Sequence, residues 1–200
     1  MKKLIAVLLL MTSCSTYILK DGRDYKHVAQ HVVLIEDDIG SGTAFYVEHR
    51  SKIYLVTNNH VCGDMTMFRT MDGYSKVIAK DPKNDICILT HKRTSGLKID
   101  LEVPNSLDPL YVIGHPLGFP MVVREGNFIA KTKFDVDFLR VKNVEHYFIS
   151  MVVYQGNSGS PLLNVKNKLV GIVNSTNTST YTEGWAVPAK HLVKFLNKQR

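Results

Sequence analysis

One serine stands between two glycines in Gln155-Gly-Asn-Ser-Gly-Ser-Pro161. Glycine reaches backbone conformations that a side chain forbids, so the flanking pair suggests a tight turn presenting the Ser158 hydroxyl. A hydroxyl is a weak nucleophile until a base takes its proton. His60, in Thr57-Asn-Asn-His-Val61, follows the apolar run Ile53 to Val56 directly and is the candidate base. A third group must fix the imidazole tautomer and stabilise its cation. Asp85 leads straight into the apolar run Ile86 to Leu89 and is the candidate for that role. Asp81 is its rival, but it precedes Pro82 and reads as a turn residue. A serine among glycines also marks the strand-to-helix elbow of α/β-hydrolases, Gly-x-Ser-x-Gly, where the chain order is serine, acid, histidine; here Ser160 stands where that motif has its last glycine. Here the order is His60, Asp85, Ser158, and no helical pattern follows Ser158.

The elements that must position these residues are mostly strands. Ala44 to Val47 and Ile53 to Val56 are rich in aromatic and β-branched residues, and the polar stretch Glu48 to Lys52 between them predicts a hairpin. Ile86–Leu89, Leu110–Ile113, Tyr147–Ser150, Pro161–Leu163 and Leu169–Val173 continue the pattern, with a second turn at Asn164 to Lys168. Pro188 to Lys198 has helical spacing, with Leu192, Val193, Phe195 and Leu196 on one face and lysines near its C-terminal end. Many short strands and one terminal helix predict an all-β barrel or sandwich.

These segments together resemble the trypsin-like bacterial serine proteases, in particular HtrA-type protease domains and the glutamyl endopeptidase group. Gly40-Ser-Gly-Thr-Ala-Phe45 with Leu55-Val-Thr-Asn-Asn-His-Val61 is similar to the family's catalytic-histidine segment. Asp85-Ile-Cys-Ile-Leu89 resembles its aspartate strand. Val112-Ile-Gly-His-Pro-Leu-Gly118, Gly156-Asn-Ser-Gly-Ser-Pro161, Gly171-Ile-Val173 and Gly184-Trp-Ala-Val-Pro188 follow collinearly. The resemblance implies an all-β fold of two six-stranded barrels with a C-terminal α-helix. It implies a catalytic His60, Asp85 and Ser158, with an oxyanion hole from the backbone N–H groups of Gly156 and Ser158. No metal or organic cofactor is needed, and the substrates are proteins or peptides. The alternatives are a catalytically silent protease-fold lipoprotein that binds peptides or a surface partner, and an esterase using the same serine.

The pocket for the residue before the cut is assigned to Val152, Val173, Asn174 and Ser175. Enzymes that cut after Lys or Arg carry an acid where Val152 stands. The glutamyl group has a histidine on the strand matching Ile172 to Ser175, and this chain has none there. The expectation is cleavage after small or medium apolar residues. HtrA-type proteases usually carry a PDZ domain after the protease; only about a dozen residues follow Pro188. His115 stands where the family turn has asparagine and reads as a turn residue, as His27 and His31 read as exposed polar residues rather than zinc ligands. Trp185 reads as packing.

The remaining features bound location and class. The chain has 200 residues, 44% hydrophobic and 22% charged, with a formal net charge of +7, an ordinary globular balance. The positive charges are scattered apart from Lys190, Lys194, Lys198 and Arg200, so nucleic acid is not an expected partner. Lys2 and Lys3 precede an apolar run from Leu4 to Met11, the order of a signal peptide. Met11-Thr-Ser-Cys14 resembles a bacterial lipoprotein signal, in which Cys14 would be lipidated and tether the chain to a membrane; an ordinary cleaved signal is the alternative. The expected organisation is a signal over 1–14, a tether over 15–24, the protease domain over 25–188 and the helix over 189–200. Export to the periplasm or cell envelope, or secretion, follows. Cys62 and Cys87 are read as two small buried hydrophobes rather than as a bridge.

Overall fold

The hairpin expected around Glu48 to Lys52 forms between β2 (Ser41–His49) and β3 (Lys52–Thr57), in register from Phe45↔Val56 to His49↔Lys52. Arg50 and Ser51 make the turn with φ of 49° and 61°. A two-residue turn with both φ values positive twists in the same sense as its strands. The computed structural model describes residues 25–38, 40–136, 141–176 and 182–199. The expected signal, the tether and Cys14 lie outside the described residues.

Six strands close the first barrel in the order β1-β2-β3-β6-β5-β4, adding β1 (Val32–Glu36), β4 (Met67–Thr70), β5 (Gly73–Asp81) and β6 (Ile86–Leu89). Its closing seam, β1 to β4, has one register pair, Glu36↔Arg69, whose side chains also form an ion pair at 3.0 Å. The second barrel closes in the order β10-β11-β12-β9-β8-β7. Its strands are β7 (Pro109–Gly114), β8 (Val122–Val136), β9 (Val141–Ser150), β10 (Pro161–Asn164), β11 (Leu169–Thr176) and β12 (Glu183–Pro188). The expectation of two six-stranded barrels is met.

Each barrel has its own apolar cluster, and a third joins them. The joint cluster takes Val56 and Ile88 from the first barrel and Ile113 and Ile172 from the second. Helix α3 (Ala189–Leu196), preceded in the chain by the single turns α1 (Lys26–Ala29) and α2 (Asn59–Cys62), buries Leu192, Phe195 and Leu196 in it. Phe195 and Leu196 lie three and four residues after Leu192, which puts all three on one face. The chain enters the domain at Tyr25, which is fully buried against Tyr111 with ring centroids 4.3 Å apart. Burying two aromatic rings and the helix face between the barrels fixes how the barrels sit, and hence the cleft between them.

Candidate active site

His60 and Asp85 meet where two elements of the first barrel end. Strand β3 stops at Thr57, and the single turn α2 swings His60 off its end. The chain approaches Asp85 through a 3₁₀ turn, Pro82–Asn84, capped by Asp81: its carboxylate accepts from Asn84 N at 3.2 Å and Asn84 Nδ2 at 2.7 Å. Asp81 therefore serves the turn, as the sequence suggests. Asp85 ends that turn in the left-handed region, with φ 54° and ψ 49°. Asp tolerates this conformation better than most residues.

The conformation aims both carboxylate oxygens at one residue. Oδ1 accepts the His60 backbone N–H at 2.8 Å, and Oδ2 lies 2.8 Å from His60 Nδ1. Asn58 Nδ2 donates to the Asp85 carbonyl at 3.0 Å. Asp85 is 1% exposed, and a buried carboxylate is retained as a charge only when it is paired and hydrogen-bonded. Its pairing assigns the proton to Nδ1 and leaves Nε2 as the basic atom of the ring.

The reading of Cys62 and Cys87 as separate thiols is wrong: they form a disulfide, with Cα atoms 6.5 Å apart. The reason lies in the site itself. Cys62 is two residues after His60 and Cys87 two after Asp85. Strand β3 pairs with β6 at Thr57↔Cys87, so the fold that brings His60 to Asp85 brings the sulfurs together as well. The shared offset from His60 and Asp85 hinted at this proximity in the sequence, but the Cα separation that a bridge needs is set by the strand pairing.

Ser158 comes from the second barrel, on the turn between β9 and β10. Gly156 and Gly159 on either side have φ of 87° and 83°. A Cβ at Gly156 would meet the His115 carbonyl at 2.5 Å, and one at Gly159 the Thr43 carbonyl at 2.1 Å, so neither position accommodates a side chain. Thr43, buried on β2 of the other barrel, holds this turn. Its N–H donates to the Ser158 carbonyl at 3.0 Å, and its hydroxyl donates to the Gly156 carbonyl at 2.8 Å and accepts from His115 N at 3.0 Å. Thr57 Oγ1 donates to the Thr43 carbonyl at 2.7 Å. Among the described residues, the N–H groups of Gly156 and Ser158 meet no protein acceptor. The His115 ring bonds the Phe119 carbonyl at 3.1 Å, consistent with a turn residue, and burial lowers its pKa.

Val152 is half-buried, while Val173 and Asn174 are buried, with Ser175 partly exposed beside them. A residue that sequence reasoning missed stands behind them. His146 on β9 is 1% exposed, and its Nε2 lies 3.1 Å from Asn174 Nδ2 while Nδ1 lies 3.1 Å from the Val144 carbonyl. Burial lowers its pKa, opposed by the hydrogen bond to the Val144 carbonyl and, less, by the Asp85 charge. A neutral ring protonated on Nδ1 accepts from the Asn174 amide and fixes its orientation. His27 Nε2 contacts Asn167 Nδ2 at 2.8 Å, and His31 is half-buried rather than exposed, with its pKa lowered by burial. Among the described residues, no group of three or more His, Cys, Asp or Glu is arranged to hold a metal ion. Trp185 stacks on Phe148, centroids 5.6 Å apart.

Ser158, Gly156 and His60 line one cavity of about 750 Å³ between the barrels. Two barrels with this site between them are a known arrangement, and the sequence family called the trypsin-like peptidase domain matches residues 42–172. The chain belongs to the trypsin-like peptidase family. That family match covers the segments carrying His60, Asp85 and Ser158. The "Serine protease HtrA-like" protein of Staphylococcus aureus (strain MRSA252) is 29% identical over 82% of this chain. The chain spans about a quarter of that protein's length (24%). Two solved structures share the fold of this trypsin-like peptidase chain. The Rv3671c protease from M. tuberculosis in its active form has a TM-score of 0.74 and 20% identity, covering 86% of this chain and 82% of that one. The HtrA-type protease AlgW with a tripeptide has a TM-score of 0.73 and 21% identity, covering 86% and 61%.

Proposed function

We propose that this trypsin-like chain is a serine endopeptidase working through an acyl-enzyme on Ser158. The observation that carries the reading is the double grip of Asp85 on His60, beside a cavity that His60 shares with Ser158. In this mechanism His60 Nε2 takes the proton as Ser158 Oγ attacks the peptide carbonyl. Asp85 stabilises the imidazolium that results. The N–H groups of Gly156 and Ser158 receive the charge on the carbonyl oxygen, and one such donor contributes roughly 10²–10³ in rate. His60 then protonates the leaving amine, and water attacks the acyl-enzyme with His60 again as base.

For the residue before the cut, Val152, Val173, Asn174 and Ser175 supply no charge, which supports cleavage after small or medium apolar residues. A peptide library varied at that position tests this, and a preference for Lys, Arg or Glu overturns it. The sequence 1–14 supports export by a signal peptide, with Cys14 as the lipid anchor. Labelling by a fluorophosphonate reagent, together with casein digestion, tests the activity. The wild type is labelled and cuts casein, and Ser158→Ala does neither. An unlabelled wild type that leaves casein intact would overturn the reading in favour of a silent peptide-binding fold.

A further inference from the structure

The cavity that holds His60 and Ser158 takes most of its wall from the first barrel. Its wall runs over β2 at Ser41 and Gly42 and over α2 at Val61, and on the second barrel it includes Leu117 and Gln155. None of Val152, Val173, Asn174 and Ser175 lines it. The chemistry fixes what that side is for. His60 must reach the nitrogen of the leaving amine, so the half of the substrate that departs lies on the His60 side of the serine. The half that becomes the acyl group lies toward Asn174.

The floor of the cavity is apolar. Val61 and Met65, both half-buried, present this apolar surface and pack on Ile35 and Phe68, which at 0% and 2% exposed lie beneath it in the core cluster of the first barrel. Leu117, 59% exposed, lies on the facing wall. An exposed apolar side chain above an apolar floor leaves a slot that water solvates poorly. Two carboxylates, Asp37 and Asp64, also line it. Asp37 Oδ1 accepts from Gly40 N at 2.8 Å, and the nearby Lys80 Nζ is bonded to the Gly63 carbonyl at 2.6 Å.

We infer that this slot binds the residues directly after the scissile bond, selecting a bulky apolar side chain there and disfavouring Asp and Glu. The inference rests on the endopeptidase reading above and deepens it: much of the selectivity lies on the leaving-group side of the cut. Burying one Leu or Phe side chain in such a slot raises kcat/KM on the order of tenfold to a hundredfold over Gly or Ser. A carboxylate there meets two like charges, Asp37 and Asp64, against the single Lys80 cation.

The test uses quenched-fluorescence peptides with one common acyl half, varied only at the first residue after the cut through Phe, Leu, Ser, Gly and Asp. Wild type is expected to cleave the Phe and Leu peptides at least tenfold faster than the Ser and Gly peptides, and the Asp peptide slowest. Leu117→Asn and Met65→Gln each narrow that ratio to under threefold; Leu117 is exposed and Met65 half-buried, so neither change empties the core. Fluorophosphonate labelling of every sample reports a competent serine independently of any leaving group. Labelled enzyme that cuts all five peptides alike overturns the inference and leaves the endopeptidase reading standing. A preference that both variants retain overturns the assignment to this slot. Enzyme that is neither labelled nor active removes the endopeptidase reading and the inference with it.

Discussion

The two barrels carry their halves of the site by different means. In the first, His60 and Asp85 are joined by two hydrogen bonds from one buried carboxylate, and the elements bearing them are stapled by Cys62–Cys87. In the second, Ser158 is held by the left-handed glycines on either side and by backbone hydrogen bonds. In the proposed mechanism the base must be held in one tautomer and one orientation while it gains and loses a proton, and charged and covalent contacts do that. The nucleophile must sit on a backbone path whose N–H groups stay available to a substrate oxygen, so side-chain contacts there would obstruct it. Thr43 is the bridge between the two, a residue of the first barrel that binds the turn of the second.

Breaking the first half's electrostatics is expected to have the largest effect. Asp85→Asn keeps a residue that tolerates φ 54° but lets the ring adopt the wrong tautomer. The expected loss in kcat is on the order of 10⁴-fold with an unchanged circular dichroism spectrum. Activity within tenfold of wild type would show that the grip on His60 is structural only.

Removing the staple comes next. The disulfide closes a sequence separation of 25 residues. Chain entropy gives such a crosslink about 3.5 kcal/mol. Cys62→Ala with Cys87→Ala is expected to lower Tm by roughly 10 °C. The second barrel has no such crosslink among the described residues, so reductant should destabilise the wild type by the same amount and leave the double variant unmoved.

Thr43→Val then tests the bridge. It leaves the Gly156 carbonyl and His115 N–H without their partner, at about 1–3 kcal/mol. The rate of fluorophosphonate labelling of Ser158 should fall while the disulfide stays intact. A fall in stability with unaltered labelling would show that the turn keeps its shape unaided.

The smallest effect is on pH. Burial lowers the pKa values of His31, His115 and His146 from 6.5. The unfolded chain therefore binds their protons more readily, and the stability from keeping them neutral is present above pH 6.5 and lost as pH falls through the folded values. Urea midpoints at pH 7.5 and 5.0 should show this loss, and His146→Gln should reduce it.

The sequence carried the site where the signal was local. Ser158, His60 and Asp85 were legible because each sits in a short motif beside an apolar run. The hairpin at Arg50 and Ser51 was legible for the same reason. Strands β1, β4, β5 and β8 were not singled out: β4 is only four residues long and buries Thr70 while exposing Met67, and β5 buries Ser75 alone, so neither shows an apolar period. Thr43 acts on a partner 113 residues away, and His146 on one 28 residues away. The Gly40–Phe45 segment was recognised without a role for its threonine. Contacts of that kind belong to barrel closure and have no spacing to read.

The single pair that closes the first barrel has a consequence of its own. Exposed strand edges recruit further strands, as they do in fibril growth. Closed barrels give each strand two neighbours, and the narrowest seam, β1 to β4, is marked by the charged pair Glu36–Arg69. An incoming strand at that seam would have to displace the ion pair as well as the register.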